Sequence, residues 1–489
     1  MQVGFVKSSE MVGSNRMPVF NNKCLRLAKL NDQSNLLTND VGDYIFINHE
    51  NLKRFQNDAL GVQETEWLNQ AGIGNYDPGT FFYNAHQFKK ALRNFPIKKL
   101  NYLIVVPTLR CNLCCSYCQV SRADEKAKGY DWTPEIIDEF VRYVGQHAAD
   151  NVKIEFQGGE PSLRLDIVLE IVERVKMLKP LAFFVICTNL SKLSPELLSL
   201  LNRDDFTISS SLDGPPKIHQ ENRTISDAET NKFFDNLNLI LDQFGPSKIS
   251  LLPTISDYKN ITDIIDFFFE KKLPDIFLRP VNFQGFARKK FADISQGATD
   301  WLSVYFIALD YIAEKNQLGG HQLVETGLSI HLNRIFKPQS HNYVDLRNPN
   351  FLGKDYLVVD YDGKLYPTDE ARMLSRIGLV DLEIGNIFEG LNEQKVDLLN
   401  SRSSNAGDPA CNECSFQPFC GVDNIDNISR YGTIDIETLH SHYCITHMGI
   451  FKYIFNKLSS RDESFGNLAS LCLTGQQGVS AIFGGHHFD

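Results

Sequence analysis

Between Tyr102 and Val281 the chain alternates six times between a short strand-like run and a longer amphipathic one. The strand-like runs are Tyr102–Val106, Val152–Gln157, Ala182–Thr188, Phe206–Leu212, Ile249–Ile255 and Ile276–Val281. The helix-like stretches include Pro134–His147, Leu163–Leu178, Glu229–Phe244 and Thr262–Lys271, and Trp301–Lys315 follows the last strand. Strands joined through a helical crossover lie parallel, whereas a tight hairpin joins antiparallel neighbours. The pattern predicts an α/β fold of six β/α units with parallel strands, closed as a barrel or left as an open sheet, whose chemistry gathers at the C-terminal ends of the strands.

At 489 residues the chain is too long for one such unit. A small β/α domain is expected over residues 1–96, with strands around Leu25–Leu30 and Tyr44–Asn48 and helices near Asn51–Asp58 and Gln63–Ala71, after a loose start at 1–20. The six β/α units take residues 97–335. Residues 336–455 change to short strands and turns, including Tyr356–Asp360 and Lys364–Tyr366, and end in a cysteine-rich segment. Residues 456–489 form a Gly-rich, polar tail expected to be mobile.

The formal charge of −11 repels phosphate backbones, so no nucleic-acid partner is expected. No apolar run reaches membrane-spanning length, and the N-terminus lacks the layout of a signal peptide, so no membrane partner is expected either. Eleven cysteines without a secretory signal fit a reducing, cytoplasmic setting, where clustered thiols bind metal rather than each other.

The first cluster follows the first strand. Cys111, Cys115 and Cys118 are spaced C-x3-C-x2-C, with Tyr117 just before the last. Thiolates suit iron–sulfur clusters. Three of them leave the fourth iron of a [4Fe–4S] cluster open to the amino and carboxylate groups of a small molecule. A zinc knuckle or a set of buried thiols are the plainer readings of the same spacing. Cys114 stands outside the ligand positions and is expected to be a packed thiol.

With this loop after a strand, and with the motifs that follow, the sequence resembles the radical S-adenosylmethionine (SAM) superfamily over roughly residues 98–450. The resemblance implies a TIM-like partial (β/α)6 barrel, a [4Fe–4S] cluster on Cys111, Cys115 and Cys118, and SAM cleaved to a 5′-deoxyadenosyl radical. The second strand ends in Gly158-Gly159-Glu160-Pro161, similar to the family's GGE motif, which implies that this backbone and Glu160 receive the SAM amino group. Glycines permit close backbone approach and a carboxylate suits an ammonium. Asn189 ends the third strand as a further polar contact. The fourth gives Ser209-Ser210-Ser211-Leu212-Asp213-Gly214-Pro215, then His219 and Arg223, similar to a stretch in peptide- and protein-modifying members. There Ser209 or Ser211 and Arg223 are the implied contacts to the SAM ribose or carboxylate.

The later cysteines, Cys411-x2-Cys414-x5-Cys420 with Cys444 beyond, resemble a SPASM domain, which implies one auxiliary [4Fe–4S] cluster on four thiolates; a structural zinc site fits the same spacing. Two positions depart from the SPASM pattern. Asn424 stands where a further cysteine is usual, and Thr368 replaces the cysteine of a "DGxxYPCD"-like segment, so a second auxiliary cluster is not expected. Asp369 survives there and is the implied base near the substrate. Short phrases around Cys118–Arg122 and Tyr366–Met373 resemble maturases of His-Xaa-Ser-type systems and cyclophane-forming enzymes. The implied partners are a precursor peptide and an electron donor such as flavodoxin or ferredoxin, and the implied reaction is a carbon-centred cross-link. Formylglycine formation as in sulfatase maturation, another peptide oxidation or epimerisation, and a zinc-stapled binding module without chemistry are the alternatives. The 1–96 domain is either a leader-binding module that adds a strand to a sheet edge or a packing domain.

Overall fold

The computed structural model describes residues 25–74, 81–93, 99–224, 226–290, 297–337, 343–478, 482–484 and 486–488. The expected loose start at 1–20 lies outside them. The chain forms two compact units, one of residues 1–93 with 413–418 and 483–489, the other of 94–412 with 419–482.

In the first unit, Arg26–Lys29, Ser34–Thr38 and Tyr44–Asn48 form an antiparallel sheet, followed by helices His49–Gln56, Val62–Gln70 and Phe81–Arg93. The middle strand reads as turn in the sequence because only Leu36 and Leu37 are apolar. Asn48 caps the first helix by accepting from the Asn51 N–H at 2.8 Å. Leu37, Ile45, Ile47, Leu52, Leu68 and Ile73 make the core. The C-terminal segment corrects the expectation of a mobile tail: Glu463–Thr474 is a helix of the second unit, and His487–Phe488 pairs parallel with Tyr44–Asn48. Phe488 is buried in the first unit's core, its ring 5.3 Å from that of Trp67.

The second unit is built on a nine-stranded sheet. Its parallel part runs, in spatial order, Ile249–Leu252, Phe206–Ser211, Phe183–Cys187, Ala148–Gly158, Leu100–Thr108 and Tyr356–Val359. Helices Pro134–His147, Leu165–Leu178, Pro195–Leu201 and Asp227–Phe244 fall between the first five strands in sequence. Each of these helices buries an apolar stripe, as Ile136, Ile137, Phe140 and Val144 do for the first. Beyond Tyr356–Val359 the sheet turns antiparallel through Lys364–Tyr366, Gly385–Asn386 and Gly390–Leu391.

The expected fifth and sixth strands are broken. Pro253 lacks an N–H and interrupts the fifth between Leu252 and Thr254. The sixth is two pieces: Asp275–Ile276 pairs with Val324–Glu325, and Arg279–Pro280 pairs with Thr254–Ile255. Five β/α units therefore join one sheet, and its other side is extended by Tyr356–Val359, not by the sixth unit.

Candidate active site

The cysteine loop leaves the Leu100–Thr108 strand through a bridge of Arg110–Cys111 with Ala123–Asp124. Asp131 braces its root. It accepts from Thr108 Oγ1 at 2.6 Å and from Arg110 Nε and Nη2 at 2.8 Å, and pairs with Arg164 at 2.9 Å. Cys111, Cys115 and Cys118 are half-buried thiols in this loop. Burial pushes the Cys111 thiol up to about 12, and the nearby Glu160, Cys115 and Cys118 push the same way. Cys114 is exposed, not packed, and Arg122 donates to its sulfur. Among the described residues no three His, Cys, Asp or Glu side chains close on a point as a single metal ion requires.

The Gly-Gly-Glu segment is fitted against this loop. Gly158 has φ +119°, and a Cβ there would meet the Thr108 carbonyl oxygen at 2.4 Å. The Gly159 N–H donates to Thr108 O at 3.0 Å and the Glu160 N–H to Arg110 O at 2.8 Å. Glu160 is 1% exposed. Its carboxylate accepts from the Ser162 N–H at 3.1 Å, Thr188 Oγ1 at 2.7 Å and the Asn189 N–H at 2.7 Å, while burial pushes its pKa up. In this arrangement Glu160 ties the ends of the second and third strands together. Asn189 Nδ2 donates to Asn112 Oδ1 at 2.9 Å and lies 4.0 Å from the Cys111 sulfur.

Tyr117 is buried and joins the loop to the fourth unit. Its hydroxyl donates to Asp213 Oδ2 at 2.6 Å and accepts from Arg223 Nη1 at 2.7 Å. Asp213 is fully buried and was not singled out in the sequence, although it lies inside the motif that was. Ser209 and Ser211 share one half-buried face of their strand, and Ser209 O accepts from the Thr188 N–H at 3.0 Å. A polar group that sequence reasoning missed centres on Glu155, which accepts from Tyr102 Oη at 2.8 Å, Gln157 Nε2 at 2.6 Å and Cys187 Sγ at 3.3 Å. The period-two run Lys153-x-Glu155-x-Gln157 was its signal.

A cavity of about 470 Å3 opens in the second unit at the ends of the Thr254–Ile255 and Arg279–Pro280 strands, within the usual range for small-ligand pockets. Its walls include Phe277, Phe283, Trp301, Tyr356, Thr368 and Glu370. The segment 282–286, whose first three residues line the cavity, also grips the cysteine loop. Asn282 Nδ2 donates to Gln119 Oε1 at 3.4 Å, and the Phe286 N–H donates to Cys118 O at 3.0 Å. A Cβ on Gly285, at φ +52°, would fall 1.7 Å from Gln119 O. His331 and His447 line another wall. His331 Nδ1 lies 2.7 Å from Gly327 O and so carries the proton; its Nε2 then accepts from His447 Nδ1 at 3.0 Å.

Residues 105–268 match the model of the Radical SAM superfamily. The chain carries a radical SAM domain. A cysteine-type anaerobic sulfatase-maturating enzyme of Clostridium novyi is 26% identical over 153 residues, 29% of this chain and 41% of that enzyme. A probable GTP 3′,8-cyclase of Methanocella arvoryzae is 28% identical over 200 residues, 40% of this chain and 62% of the cyclase. The chain thus spans less than two thirds of the length of the curated relatives it matches. The solved structure of anSMEcpe with bound AdoMet and Cp18Cys peptide shares the fold at a TM-score of 0.57 and 19% identity, over 74% of this chain and 98% of that one.

The radical SAM domain implies a [4Fe–4S] cluster and SAM. The three half-buried thiols of Cys111, Cys115 and Cys118, carried on one loop, suit the cluster by donor chemistry. The two positions that depart from the SPASM pattern have other work. Thr368 caps the Asp369–Arg376 helix, accepting from the Ala371 N–H at 3.1 Å, and Asn424 Nδ2 donates to Leu399 O and Arg402 O at 3.1 and 3.2 Å. Cys411, Cys420 and Cys444 belong to the second unit and Cys414 to the first. Asp369 is buried, accepts from Arg372 Nε at 2.8 Å, and is not among the residues lining the cavity. Among the described residues no helix is long and apolar enough to cross a membrane.

Proposed function

We propose that this chain is a radical SAM enzyme that oxidises a ribosomally made peptide, with the reacting residue seated in the 470 Å3 cavity. The observation that carries the reading is one shared segment: Asn282, Phe283 and Gln284 line the cavity, and the same segment holds Gln119 through Asn282 and Cys118 through the Phe286 N–H. Cys111, Cys115 and Cys118 would hold the cluster. Asn189, Ser209, Ser211 and Arg223, with the Gly158–Glu160 backbone, would border SAM. When bound, the cluster and SAM supply a carbon radical able to remove an unactivated hydrogen atom. The chain's own residues position the substrate and exclude water from it.

Aromatic walls from Phe277, Phe283, Trp301 and Tyr356 suit a side chain rather than a phosphorylated nucleotide, and the unit's acidic lining at Asp300, Glu370 and Asp423 disfavours phosphate. A cross-link of the cyclophane type is the product the reading favours. One auxiliary cluster on Cys411, Cys414, Cys420 and Cys444 rests on sequence spacing, and a flavodoxin or ferredoxin would supply the electron for SAM cleavage. We assign residues 97–335 to the radical SAM part, 336–455 to the SPASM-like part, and 1–96 to recognition or packing.

The test is anaerobic co-expression with a small peptide encoded beside this gene, followed by mass spectrometry of the peptide. Loss of two hydrogens indicates a cross-link or another two-electron oxidation. Conversion of a Ser or Cys to an aldehyde points to formylglycine formation, and an unchanged mass with inverted stereochemistry to epimerisation. A peptide that is chemically unchanged beside an enzyme that forms 5′-deoxyadenosine sinks the reading.

A further inference from the structure

We propose that Glu370, not Asp369, accepts the proton released when the substrate is oxidised in this cavity. The inference rests on the peptide-oxidation reading above.

The two carboxylates are neighbours on one helix and have opposite environments. Thr368 caps the Asp369–Arg376 helix. Successive residues in a helix turn by about 100°, so Asp369 and Arg372, three apart, share a face that Glu370 does not. Arg372 is 0% exposed, and Asp369 is its hydrogen-bonded counter-ion, with Asp360 at 3.7 Å from the guanidinium. Asp369 is thus engaged by a buried guanidinium and does not line the cavity. Glu370 is half-buried and lines the cavity. Among the described residues no side chain forms an ion pair or hydrogen bond with its carboxylate.

The groups that act on Glu370 come from several elements. Asp369 stands beside it on its own helix, Asp345 comes from the 344–346 turn, and Asp423 caps the Asn424–Tyr431 helix. Arg279, from the Arg279–Pro280 strand, is the nearby cation, but its guanidinium is committed to Asp345 at 2.6 Å. Tyr343 and Tyr356 complete the surroundings. Burial, followed by the charges of Asp369, Asp345 and Asp423, pushes the Glu370 carboxyl up to about 7. A carboxylate with that affinity for protons is a far better base at neutral pH than an ordinary glutamate.

The step balances as follows. Hydrogen-atom transfer breaks a substrate C–H bond and makes a C–H bond in 5′-deoxyadenosine. Completing a two-electron oxidation then removes one electron and one proton from the substrate as its new bond closes. The electron would go to an oxidised iron–sulfur cluster, a one-electron acceptor. The proton goes to a Glu370 carboxylate oxygen, which returns it to solvent after product leaves.

Two measurements test the assignment. On the full chain, without cluster or peptide, a water-soluble carbodiimide with glycine ethyl ester should label Glu370 near neutral pH in preference to Asp369. Labelling of Asp369 with Glu370 untouched overturns the geometry. On a peptide that the wild type modifies, product formed per 5′-deoxyadenosine should rise with pH through about 7. In Glu370→Gln that ratio should fall about 10²-fold or more and lose its pH dependence, and Glu370→Asp should recover part of it. An unchanged ratio and profile in Glu370→Gln overturns this proposal alone. A wild type that forms 5′-deoxyadenosine but no product overturns the peptide reading and this proposal with it.

Discussion

Gly159→Ala should damage the protein through the cysteine loop, with no role for SAM in the primary effect. A Cβ at Gly159 would lie 2.2 Å from Arg110 O and 2.4 Å from Leu109 O, whereas real contacts of a Cβ stay beyond 3.0 Å. Both obstacles are backbone carbonyls, so no flexible side chain can swing aside. The loop would have to retreat by about 0.8 Å immediately before Cys111. That retreat strains the hydrogen bonds from the Gly159 and Glu160 N–H groups to Thr108 O and Arg110 O. Two such bonds at about 1 kcal/mol each, with overpacking strain of about 1–3 kcal/mol, give a loss of about 3–5 kcal/mol. The matched control is Gly145→Ala, on an exposed turn of the Pro134–His147 helix, where the new methyl meets only the Leu178 side chain at 3.3 Å. That change should stabilise by up to about 1 kcal/mol. Denaturant unfolding of the three proteins and iron content after anaerobic reconstitution measure both effects. A Gly159→Ala protein with wild-type stability and iron content would refute the packing argument.

Three further outcomes are expected. Replacing Cys111, Cys115 and Cys118 with Ala should abolish reductive formation of 5′-deoxyadenosine, measured by chromatography, while Cys114→Ala, at an exposed thiol, should retain it. Asp369→Asn should cost about 3–5 kcal/mol in denaturant unfolding by leaving buried Arg372 only the more distant Asp360 as counter-ion, and should lower cluster content and every activity together. Burial raises the Glu325 carboxyl from 4.5 to about 7, so the folded chain binds its proton more tightly than the unfolded chain does. Its contribution to stability is therefore full below about pH 4.5 and declines toward pH 7, by about 3 kcal/mol in all; Glu325→Gln should flatten that part of the stability–pH curve.

The parts of this molecule legible in the sequence are those whose signal is local. Pro134–His147 has a Pro start and a clean apolar stripe, and its bounds match the reading. The cysteine loop and the Gly-Gly-Glu turn could be placed because each sits where a regular strand ends. What was not legible depends on partners distant in sequence. Nothing near Phe488 says that it packs with Trp67, more than 400 positions away. Nothing near Tyr117 says that Asp213 and Arg223 share its hydroxyl. The choice between Asp369 and Glu370 turns on which way each side chain leaves one helix, and Arg372 settles the direction of the first. The sixth strand failed as a reading because an apolar run shows that a segment is buried but not which edge it meets.

The pairing of Tyr356–Val359 with Leu100–Thr108 bears on how the chain is made. During synthesis the first strand can gain Ala148–Gly158 on one side early, but its other edge stays bare until some 250 further residues have emerged. Such distant pairing slows folding and leaves a bare strand edge open to wrong partners in the meantime. A chain cut at 335, where the composition changes, would carry that bare edge permanently and is expected to aggregate. The sheet is finished by the half of the chain that carries Thr368 and Glu370, so the cavity wall and the last strand of the parallel sheet arrive together.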